Sequence, residues 1–86
     1  MNRFGDDGQP DREERLQTVR EELLRDRAEL EKKARQYARM NYFSGQALHT
    51  ATSIIGNLDS YGSLSDRQWD ALAGLVAFVD VRDEDE

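Results

Sequence analysis

Three rhythms of apolar residues run along the chain, and each predicts a helix. From residue 11 to about residue 40, Leu16, Leu23, Leu30 and Tyr37 return every seven positions, with Val19 and Met40 in the companion column and Asp26 and Lys33 interrupting it. The segment has no glycine or proline, and 17 of its 30 residues are charged, a composition that favours a long helix. Glu21/Arg25, Glu29/Lys33 and Glu31/Arg35 add i,i+4 pairs in the favourable order. Asp11, with Glu14 three residues on, is placed to accept the first-turn N–H groups and start the helix.

After the interruption "NYFSG", Ala47, Leu48, Ala51, Ile54, Ile55 and Leu58 fall on one stripe, with Ser44 as the expected cap. The opposite face, His49, Thr50, Thr52, Ser53, Gly56 and Asn57, is small and uncharged, and "DSYG" reads as a closing turn. The third rhythm begins at "SLSDRQW". Ser65 and Gln68 have capping-box spacing, and Leu64 and Trp69 have that of a hydrophobic staple. Trp69, Leu72, Val76 and Val79 then line one face while Ala71, Leu75 and Phe78 line the other, so this helix needs cover on two sides.

These elements predict an all-α, three-helix domain, with a long charged N-terminal helix over 11–41 and a C-terminal helical hairpin of helices over 45–59 and 65–80. Residues 1–10 read as a flexible arm, 11–80 as a single helical domain and 81–86 as a solvated acidic tail. The interrupted heptad allows two readings: a helix packing along the chain's own C-terminal part, or one pairing with another chain, with Asp26 and Lys33 as polar register-setters. The expected arrangement packs the hairpin on the C-terminal half of the long helix and leaves the other half projecting. It predicts a homodimer whose interface takes in Leu16, Val19, Leu23, Leu30, Leu75 and Phe78.

Composition narrows the function classes. An 86-residue chain holds one thin core. With no cysteine, disulfides and thiolate-based metal or nucleophile sites are excluded. No window approaches the roughly 20 apolar residues of a spanning helix, and the opening "MNRFGDDGQP" lacks the apolar core of a signal peptide. The expectation is a soluble, cytoplasmic protein. Net charge is −6, and mean hydropathy is −0.88 with a pI near 4.7, an acidic balance that argues against general phosphate binding.

Candidate chemistry is sparse. His49 is the single histidine, and the hydroxyls of Thr50, Thr52 and Ser53 have no base and orienting acid in sequence context to make a nucleophile. Asp83, Glu84, Asp85 and Glu86 lack the glycine-punctuated spacing of a calcium loop. No enzyme activity, cofactor or metal is expected. The strongest nucleic-acid candidate is "KKARQYARMNYF", where Lys32, Arg35 and Arg39 share a helical face with Tyr42 and Phe43 just beyond. Arg67 and Gln68 would be the base readers if the last helix were a recognition helix, but Asp66 and Asp70 flank them and the helix is too apolar to lie in a groove.

The residues Gly62, Leu64, Ser65, Gln68 and Trp69, within "ATSIIGNLDSYGSLSDRQWDAL", form a G-x-L-S-x-x-Q-W helix start. It resembles one that recurs in small helical accessory proteins of phages and mobile elements. The resemblance covers about a quarter of the chain. It implies a small accessory protein and brings no catalytic residues. Taken with the acidic balance, it points to a non-enzymatic protein–protein interaction module, an inhibitor or adaptor of a host protein complex. The alternative is an accessory protein that binds single-stranded or duplex nucleic acid.

Overall fold

The computed structural model describes residues 12–84, so the expected arm over 1–10, the Asp11 cap and residues 85–86 lie outside it. Among the described residues the fold is all-α, with no strand, and its helices are α1 (Arg12–Arg25), α2 (Arg27–Arg39), α3 (Gly45–Tyr61) and α4 (Asp66–Glu84). The helix count is therefore four where three were expected. The long helix is broken at Asp26, whose backbone leaves the helical region (φ −130°, ψ 80°) while its carboxylate accepts the Glu29 N–H at 3.2 Å. "DRAE" is thus a helix start with the spacing of a capping box, set in the middle of a run that otherwise favours helix.

The break turns α1 back along α4. Arg20 meets Asp70, and Leu16 lines a groove with Ala77 and Phe78, so α1 runs antiparallel to α4. On the far side of the break, Arg27 meets Asp66 while Lys33 and Tyr37 meet Asp80, so α2 runs parallel to it. The most extensive helix contact in the fold is that of α1 with α4. This corrects the projecting N-terminal helix expected from the heptad: bending at Asp26 lets Leu16, Val19, Leu23 and Leu24 join the same core as Leu30 and Ala34, which a straight helix could not do against one short partner.

The expected hairpin is present as α3 and α4, each slightly longer than predicted. The α3 stripe, Ala47, Leu48, Ala51, Ile54, Ile55 and Leu58, packs in or against the core as its periodicity requires. Ser44 stands at the N-cap position of α3, but its hydroxyl makes no capping hydrogen bond. At the start of α4 the box closes in both directions. The Ser65 N–H donates to Gln68 Oε1 at 3.1 Å, and the Gln68 N–H donates to Ser65 Oγ at 3.2 Å. α4 also runs past residue 80, and Val81 is buried, so the last helix takes in residues expected to belong to the tail.

α2 ends in a Schellman stop that the sequence did not advertise with a glycine. Asn41 takes the left-handed conformation (φ 62°), the Asn41 N–H reaches the Ala38 carbonyl at 3.5 Å, and the Tyr42 N–H donates to the Tyr37 carbonyl at 2.9 Å. The rings of Tyr37 and Tyr42 supply the accompanying apolar contact, 5.3 Å between centroids. Asn41→Val is expected to lose about 1–2 kcal/mol, the penalty for a branched side chain in that conformation, while Asn41→Gly is neutral or stabilising. Chemical denaturation decides this, and a valine variant as stable as the parent would refute the left-handed stop.

Candidate functional site

α4 packs against each of the other helices, and one apolar side of it is left partly to solvent. α1 covers the side bearing Asp70, Gly74 and Ala77, and α2 covers the side bearing Trp69 and Asp80. With α3 also packed on α4, Trp69, Leu72, Ala73, Val76, Ala77 and Val79 are buried. Ala71 and Phe78 lie seven residues apart on the opposite side, and successive helical steps of about 100° place Leu75 beside them. Ala71 is exposed, Leu75 is half-buried against the core, and Phe78 is 53% exposed. Phe78 also overhangs a groove between α1 and α4 whose other walls are Glu13, Leu16, Gln17, Arg20, Gly74 and Ala77.

Arg20 lies along that groove: a Cβ added at Gly74 would stand 4.0 Å from Arg20 Cδ, ordinary van der Waals contact, so the arginine stem crosses α4 beside Gly74. Its Nε stands 3.7 Å from Asp70 Oδ1 and is buried without a hydrogen-bond partner. Neither Arg20 nor Gly74 stood out in the sequence, because the first reads as one more charge on a charged helix and the second as a mild helix defect.

The predicted interface residues divide into two groups. Leu16, Val19 and Leu75 are partly buried at the edges of the core, and Phe78 is outside it. Leu23 and Leu30 are interior, 6% and 0% exposed. The bend at Asp26 turns both into the core of the single chain.

The basic patch is likewise divided. Lys32 and Arg39 are exposed, but Arg35 is gripped by two carboxylates. Its Nη1 and Nη2 donate to the two oxygens of Asp59 at 3.3 and 2.6 Å, and its Nε donates to Glu31 at 3.0 Å. The hydrogen bond from Arg35 holds the Asp59 carboxyl below its ordinary value, and those it donates to Asp59 and Glu31 hold the guanidinium firmly protonated. A phosphate would have to displace both acids. Tyr42, 36% exposed, is held by the α2 stop, and its carbonyl accepts from Arg82 at 3.3 Å. Phe43 is buried.

Lys33, one of the expected register-setters, works within the chain. Its ammonium donates to Asp80 Oδ2 at 3.2 Å, and the Tyr37 hydroxyl donates to Asp80 Oδ1, joining α2 to the last turns of α4. Burial, then the hydrogen bond to Asp80, pushes the Tyr37 phenol above its ordinary range. His49 is exposed on α3, and among the described residues no group of three or more His, Cys, Asp or Glu side chains is arranged to hold a metal ion. No helix among the described residues is long and apolar enough to cross a membrane. Comparison with family models, curated proteins and solved structures gives no match.

Proposed function

We propose that the chain is a non-enzymatic protein–protein interaction module that works as a homodimer, and that it acts as an inhibitor or adaptor toward a larger protein complex. The observation that carries the reading is the α4 ridge, where Phe78 holds half its surface in water on the same side as Ala71 and Leu75 and beside a groove of mixed polar and apolar lining. Single exposed apolar residues are ordinary, but a large ring on a continuous ridge flanked by a groove has the form of a contact surface. The chain's polar composition, 35% charged overall, gives such a ridge its contrast. The nucleic-acid reading draws less support, because the central arginine of its patch is already paired with Asp59 and Glu31.

Phe78→Asp tests the ridge, since the ring makes little of the core and its replacement leaves helicity unchanged. A protein retained in stoichiometric amount from source cells by the parent is expected to be lost with Phe78→Asp. Equal retention by parent and variant, or none by either, overturns this use of the ridge. A salt-dependent gel shift abolished by Lys32→Glu with Arg39→Glu would instead favour nucleic acid.

A further inference from the structure

The link between α1 and α2 is a single residue, and the way it is built says how two copies of the chain meet. Two hydrogen bonds shape the bend: the Asp26 N–H donates to the Leu23 carbonyl at 3.1 Å, and the Glu29 N–H donates to the Asp26 carboxylate at 3.2 Å. A continuous helix would replace them with i→i−4 backbone bonds for the N–H groups of residues 26 to 29. Every other feature of the segment already favours that helix, since it has no glycine or proline and carries i,i+4 pairs on both sides.

We infer that Asp26 is a hinge through which two copies of this chain exchange α1: in each copy α1 swings out to continue α2 as one helix and docks on α4 of the other copy. This rests on the homodimer reading above and specifies the contact. The occupant follows from the packing. α1 makes its main contact with α4 and only a minor one with α2, so leaving its own α2 costs little and the α1–α4 surface re-forms between copies. The Arg20–Asp70 pair and the Arg20 stem over Gly74 would be rebuilt unchanged, as would the groove beside Phe78. The vacated side of α4 exposes Ala77 and the apolar wall that fits Leu16 and Leu23, a surface already complementary to one segment, the α1 of another copy. A very short hinge between packed elements is the feature that favours such an exchange.

The absence of native cysteine supplies the experiment. Arg20→Cys with Gly74→Cys places thiols on facing positions of α1 and α4, and the pair is oxidised in the parent and in Asp26→Ala. Removing the cap from both hinges of a dimer is expected to tighten dimerisation by roughly tenfold or more, read by light scattering against concentration. The 20–74 disulfide is then expected between chains, giving a covalent dimer on a non-reducing gel. A dimer whose 20–74 disulfide stays within each chain overturns the exchange and leaves the homodimer standing. An Asp26→Ala variant that is helical and monomeric at every concentration also overturns it, and a parent that is monomeric throughout removes the homodimer reading as well. A flexible Gly-Ser-Gly-Ser insertion after Arg25 gives the opposing arm should Asp26→Ala fail to fold: its dimer fraction falls, and an unchanged fraction overturns the hinge.

Discussion

Trp69→Ala is expected to lower stability by about 3–5 kcal/mol, the range for truncating a large buried aromatic side chain. The indole is 7% exposed at the start of α4, where it sits in the core beneath the Arg27 guanidinium, 5.3 Å from the ring centroid. A domain of this size commonly has a total stability of only about 5 kcal/mol or somewhat more, so the variant should show a large unfolded fraction without denaturant. Urea titration followed by far-UV circular dichroism checks it, since the substitution removes the only tryptophan. Arg27→Ala separates the two layers of cover. Arg27 is 48% exposed, so its cation–π contact and its ion pair with Asp66 together are worth only about 1 kcal/mol. A Trp69→Ala loss no larger than that of Arg27→Ala would refute the placement of the ring in the core.

The second large effect is expected at Asp80. Its side chain is 16% exposed and accepts from both Lys33 and Tyr37, so Asp80→Ala leaves an ammonium and a phenol without their partner and should cost about 1–3 kcal/mol. Replacing all three with apolar residues, Lys33→Met, Tyr37→Phe and Asp80→Leu, should recover most of that loss, because the penalty lies in the stranded partners more than in the missing attraction. The triple variant being less stable than Asp80→Ala would contradict this. The same cluster sets an alkaline limit. Tyr37 has its folded value raised above the unfolded one, which is about 10, so its contribution is full below that pH and is lost as pH rises toward the folded value. Tyr37→Phe should flatten the alkaline limb of a stability–pH curve measured above pH ~10.

The last helix was legible in the sequence down to its hydrogen bonds, because Ser65, Gln68, Leu64 and Trp69 act within one turn and need no information from elsewhere in the chain. The α3 stripe was legible for a similar reason, since period alone decides which face turns inward. The break at Asp26 was not. Its local signal, an acceptor with Glu29 three residues on, competes with a seven-residue column that spans it, and the decision belongs to α4, which begins 40 residues further along and rewards a bend by burying Leu23 and Leu30 together. The pairing of Arg35 was not legible for the same kind of reason. A guanidinium on a basic helical face is available to phosphate only if nothing opposite neutralises it, and Asp59 comes from another helix.

The α1–α4 contact has a consequence for synthesis on the ribosome. The first helix finishes early, yet its docking partner is the last described helix to be translated, so Leu16, Val19 and Leu23 remain uncovered while residues 27 to 65 are added. α2 and α3 can settle against each other in that interval, through Arg35 and Asp59, whereas α1 must wait. If two copies exchange α1 as inferred above, this interval of waiting is when a neighbouring copy's finished α4 would be met.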